Sequence, residues 1–123
     1  MKTYLHSLKG RQKILGYQTG DSDLYIAFFS ANKVMEETTH LHSSSDEIYV
    51  TTKGKGTIWV NGKIYRLEPG IVRKVEKDEP HKVLSVYGGE LEYIAIKTNT
   101  VDDKVELETP PELLELMKKH NLI

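Results

Sequence analysis

The asparagine–glycine pair at Asn61 and Gly62 constrains the local fold of this chain more tightly than any other feature. Residues 57–60 read as a strand and residues 63–67 as its return. Asn-Gly between two such runs is a strong hairpin signal, because both central residues of a type I′ turn need positive φ. Similar punctuation recurs along the chain. Residues 53–56 (Lys53, Gly54, Lys55, Gly56) read as a turn, Pro69-Gly70 as another, and Gly88-Gly89 as a break between strands at 82–86 and 91–97. With further strands at 24–29, 47–52 and 71–75, spaced this closely, the chain is expected to be all-β, an antiparallel barrel or sandwich.

The two ends differ from this middle. The first twenty or so residues are polar and punctuated by Gly10, Gly16 and Gly20, with one apolar piece at Ile14-Leu15. They read as an extended N-terminal arm carrying one edge strand. Near the other end, Thr109, Pro110, Pro111 and Glu112 combine an N-cap threonine, prolines in a first turn and a glutamate at the capping-box position. Leu113, Leu114, Leu116 and Met117 follow at helical spacing, so a short helix over about 110–120 is expected to pack its leucines on its own barrel, with docking across a dimer as the alternative.

At 123 residues, 1–123 reads as one domain with its barrel core at about 24–98. A net charge of −1, with no basic cluster interleaved with aromatics, gives no electrostatic case for nucleic acid or an anionic membrane. No apolar run has the length of a membrane span, and the N-terminus lacks the apolar core of a signal peptide, so a cytoplasmic location is the expectation. The absence of cysteine excludes thiolate sites. Any metal must be held by imidazole and carboxylate.

Those groups occur in a suggestive order. His40 and His42, two apart in an extended segment from Glu36, point to one face of a sheet. A polar break at residues 43–46 can turn the chain back as a hairpin. That would bring Glu47, first residue of the next strand, close to both imidazoles. Two imidazoles and one carboxylate on one face can cap a divalent metal and leave other positions open. A third histidine, His81, stands at the start of the strand at 82–86.

With these residues assembled, the chain resembles the cupin superfamily. The first cupin motif, G-x5-H-x-H-x(3,4)-E-x6-G, is matched at His40, His42, Glu47 and Gly54, with Val34 in place of the leading glycine. The second, G-x5-P-x-G-x2-H-x3-N, is matched at Gly70 and His81, with Glu76, Asp78 and Ser85 at the proline, inner glycine and asparagine positions. Fifteen residues separate Gly54 from Gly70, similar to the short spacing of compact microbial cupins. The resemblance implies a double-stranded β-helix (jelly-roll) barrel in which His40, His42, Glu47 and His81 ligate one divalent ion. Iron, manganese, nickel, cobalt or zinc would suit it. It also implies a homodimer, since cupins often pair through barrel edges.

Strand parity adds supporting groups. Glu36 and Thr38 share a face with the histidine pair if the strand is regular, Tyr49 and Thr51 share that of Glu47, and Val83 and Ser85 that of His81. Glu36 and Tyr49 are the candidate catalytic side chains, Glu36 as general base or orienting group and Tyr49 as pocket wall or proton donor. Arg73 is a candidate for holding an anionic substrate. The resulting expectation is a metal-binding barrel acting on a small molecule as a dioxygenase or related metalloenzyme. Sugar or sugar-phosphate isomerisation and non-catalytic ligand binding are the alternatives.

Overall fold

The computed structural model describes residues 1, 12–16, 25–31, 38–99 and 102–120. Its strands are β1 (Gln12–Gly16), β2 (Tyr25–Ala31), β3 (His40–His42), β4 (Glu47–Val60), β5 (Lys63–Leu67), β6 (Val72–Val75), β7 (His81–Lys97) and β8 (Lys104–Glu106), followed by helix α1 (Pro111–Lys119). Among the described residues all the strand pairings are antiparallel and join into one sheet that curls as a half-barrel. The arm's expected edge strand is β1, which contains Ile14-Leu15 and pairs with β2.

Two long strands carry the architecture. β4 and β7 pair from Glu47↔Lys97 to Val60↔His81. The other edge of β4 is taken by β6 along its first half and by β5 along its second. The turn expected at residues 53–56 and the break expected at Gly88-Gly89 are therefore corrected: both segments are bends inside continuous strands. The register slips between Thr51 and Lys53 and between Gly54 and Lys55, and such bulges let a strand turn a corner without ending.

Gly54 is the pivot. Its φ is +79°, and a Cβ there would stand 1.6 Å from the backbone oxygen of Glu90 on the facing strand. Only glycine permits both the dihedral and the approach. Gly54→Ala is expected to destabilise the fold by about 2 kcal/mol or more, since strain and a backbone clash add. A urea midpoint equal to wild type would contradict this.

The Asn61-Gly62 hairpin forms as expected, with φ of 45° and 97°. The barrel interior is filled by Ala27, Tyr49, Ile58, Leu67, Val75, Val83, Leu91, Tyr93 and Ala95. On the opposite face of β4 and β7, Trp59 and Leu84 are covered by Leu113 and Met117 of α1. The helix thus docks on its own sheet. Its start corrects the expected cap: the N-cap is Pro110, with no side-chain cap bond, while the Thr109 hydroxyl lies 3.4 Å from that of Thr39.

Candidate metal centre

His40, His42, Glu47 and His81 converge inside the half-barrel. All four are buried, and one ligand-capable atom from each lies within 4.8 Å of the others. The route to this arrangement differs from the expected hairpin. Among the described residues β3 does not pair with β4; it pairs with β8 on one side and meets β7 at His40↔His81. β7 is the common partner, because its first residue faces His40 and its last, Lys97, faces Glu47. Residues 43–46 cross between strands instead of folding one back on the other.

The hydrogen bonds of the imidazoles set their tautomers. Nδ1 of His40 lies 2.8 Å from the Thr38 carbonyl and Nδ1 of His81 lies 3.0 Å from the Glu79 carbonyl. A carbonyl only accepts, so both nitrogens carry the proton and each neutral ring keeps its lone pair on Nε2. Nδ1 of His42 lies 2.9 Å from Oδ1 of Asp103, with the same consequence.

The inner atoms are left short of positive charge. Nε2 of His81 faces Oε1 of Glu47 at 3.2 Å, two acceptors that need a shared cation between them. Nε2 of His42 is buried with no hydrogen-bond partner among the described residues, 3.6 Å from Oε2 of Glu47. A buried polar atom without a partner is costly. Three Nε2 lone pairs and a carboxylate, each ring braced from behind, fit a divalent ion.

Asp103 is the functional residue that sequence reading missed. Its Oδ1 accepts from His42 and from Lys97 Nζ at 2.7 Å, and its Oδ2 accepts from the Ser44 backbone and hydroxyl and from the Ser45 hydroxyl at 2.6 Å. Ser43 N–H donates to its backbone carbonyl. One buried carboxylate thereby fixes the ring of His42 and the loop leading to Glu47.

Electrostatics follow from this packing. Burial would push the Glu47 carboxyl up, but His42 and His81 outweigh it and hold it well below the usual carboxylate range. Burial acts likewise on Asp103 and is overcome by Lys97, Ser45, His42 and the Ser44 N–H. At His42 burial opposes the proton, yet the carboxylates of Glu47 and Asp103 prevail and raise its pKa. At His40 burial dominates, aided by His81, and lowers the pKa to about 4.

His40 makes stability depend on pH in a defined window. The unfolded chain protonates it near 6.5 and the folded chain only near 4, so the unfolded state holds more protons between these values. Stability contributed by neutral His40 is lost as pH falls through that range. His42, with its raised pKa, acts above the window, where its contribution fades as pH rises. Thermal unfolding of chelator-treated protein is expected to fall from pH 6.5 to 4, and less steeply in a His40→Asn variant. An identical slope in that variant would contradict the assignment.

Of the candidate catalytic residues, Tyr49 is buried and its hydroxyl donates to Oε1 of Glu47 at 2.5 Å. Glu36 lies outside the described residues. Thr38 contributes its carbonyl, and Thr51 and Val83 are buried. Asp78, at the position of the family's inner glycine, has φ +68°, a conformation that aspartate tolerates better than most. Its N–H donates to the His42 carbonyl.

Comparison with known proteins agrees with this fold. No curated protein matches the chain. Among solved structures, it is similar to a cupin protein from Bacteroides fragilis (17% identity, TM-score 0.69, covering 89% of this chain and 93% of that one). It is also similar to a cupin 2 domain-containing protein from Halorhodospira halophila (14% identity, TM-score 0.70, 91% and 79% covered). A third is KdgF from Halomonas (21% identity, TM-score 0.62, 75% and 80% covered). At these identities the likeness concerns the fold. The family model for the cupin domain matches residues 31–97, the span that holds both histidine motifs and most of the barrel, and by that match the chain belongs to the cupin family.

Proposed function

We propose that this cupin is a metalloenzyme that binds one divalent ion through His40, His42, Glu47 and His81 and acts on a small organic molecule. The observation that carries the reading is the set of Nε2 atoms turned toward Glu47 with every Nδ1 held from behind. The ion would supply Lewis acidity and, if redox-active, a place for dioxygen beside the substrate. Three neutral imidazoles and one carboxylate leave the loaded site at a net charge of about +1, which favours an electron-rich or anionic substrate.

The residues divide the remaining work. Tyr49 holds Oε1 of Glu47, restricting how the carboxylate turns, and Asp103 does the same for His42. The apolar interior, with Ile58, Val75 and Val83 fully or almost fully buried, limits water around the site. That favours oxygenation over sugar isomerisation, which needs a general base and more polar contacts. A homodimer in the cytoplasm belongs to the same reading, and light scattering on the purified protein checks the first part.

The test is dioxygen consumption by iron-, manganese- and nickel-loaded protein over a panel of small organic acids, thiols and diols, with zinc-loaded protein as the redox-inert control. Turnover dependent on a redox-active ion is the expected result. Substrate conversion without dioxygen uptake, equal with zinc, would favour isomerase chemistry. Binding without turnover would favour a non-catalytic barrel.

A further inference from the structure

A pocket of about 270 Å³ is lined in part by Ile58, Val60 and Val75. Val75 is the direct cross-strand neighbour of Glu47, and Val60 that of His81, so two residues of the lining adjoin ligand positions along the sheet. Arg73, Lys74 and Glu79 also line it. Arg73 pairs across the strands with Tyr49, whose hydroxyl holds Glu47, and so stands on the same face of the sheet.

The charged groups are not equivalent. Lys74 is paired with Asp46 at 3.5 Å, and Oε1 of Glu79 accepts the Glu76 N–H. Arg73 donates from Nε to the Arg66 carbonyl at 3.1 Å, and its guanidinium carbon sits 5.2 Å from the centroid of the Tyr65 ring. Among the described residues no carboxylate pairs with it. The guanidinium is thus oriented by two contacts while its terminal N–H groups remain available. Guanidinium offers two parallel donors that match a carboxylate.

We propose that Arg73 is the carboxylate anchor of a substrate pocket, and that the ligand is a small monocarboxylate whose apolar body lies over Val60 and Val75 toward the metal centre. Glu79 in the same wall opposes a second negative charge, which favours a carboxylate over a phosphate dianion. The inference deepens the metalloenzyme reading and rests on it for the pocket's role in turnover. Binding at Arg73 can be tested separately.

The 123-residue protein, zinc-loaded and chelator-treated, is titrated with monocarboxylates from acetate to octanoate and benzoate, each beside its primary amide. The readouts are the Arg73 Nε–H resonance and the amides of residues 72–75. At least one acid is expected to bind about tenfold or more tightly than its amide, as a charge-assisted hydrogen bond implies. Arg73→Gln is expected to erase that preference, and Arg73→Lys to restore part of it. No acid preferred over its amide, a preference that survives Arg73→Gln, or phosphate bound more tightly than every acid would each overturn the proposal. A preference that depends on Arg73 in protein unable to take up zinc would uphold the anchor while removing the metalloenzyme reading.

Discussion

Replacing His81 with alanine is expected to abolish divalent-metal binding while the barrel survives. His81 is fully buried, faces His40 across the strands and places Nε2 3.2 Å from Glu47. Its loss removes one of three imidazole donors and frees the Glu47 carboxylate from its nearest ring. The fall in affinity should exceed the roughly 10–100-fold that follows from losing a supporting residue, because a donor itself is gone. Calorimetric titration with zinc or manganese measures it, with circular dichroism as the folding control. Folded His81→Ala protein binding metal as tightly as wild type would remove His81 from the centre.

Asp103→Ala is expected to have the largest effect on stability. The side chain is almost wholly buried and accepts from Lys97, His42, Ser44 and Ser45 together. Removing the carboxylate takes from the buried Lys97 ammonium its partner at 2.7 Å, a loss of about 3–5 kcal/mol for a broken buried pair. Metal affinity should fall by about 10–100-fold as well, because the ring of His42 loses its orientation. A double change, Asp103→Ala with Lys97→Met, separates the effects: most of the stability should return, since both members of the pair are removed together, while affinity stays low. Recovery of both would mean that Asp103 acts on the centre only through folding.

Much of this arrangement was legible in the chain because its signals are local. The period-two spacing of His40 and His42, the carboxylate of Glu47 after a polar break, and the Asn61-Gly62 turn each act over a few residues. The family resemblance then tied His81, 34 positions beyond Glu47 in sequence, to the same centre. The run of apolar residues in α1, with Leu113 and Met117 at helical spacing, likewise needed no distant partner to be read.

What escaped reading depends on tertiary partners. Lys53 to Gly56 and Gly88-Gly89 carry turn chemistry, yet each lies where a long strand bends against its neighbour, and Gly54 serves close approach instead of chain reversal. The hairpin expected after His42 did not form because β8 takes that side of β3. Asp103 stands 61 positions from His42 in a stretch without periodicity, so nothing local distinguishes it from any solvated aspartate. The free face of Arg73 emerged only once β6 was in register with β4.

The claim on which the rest depends is that His40, His42, Glu47 and His81 hold one ion by their inner atoms. Anomalous diffraction from crystals grown with zinc or manganese tests it directly. The expected result is a single strong peak per chain, about 2.0–2.2 Å from three Nε2 atoms and a Glu47 oxygen, as zinc coordination requires. A peak held only by surface carboxylates, or a structure with metal in excess and no peak among these four side chains, would contradict it.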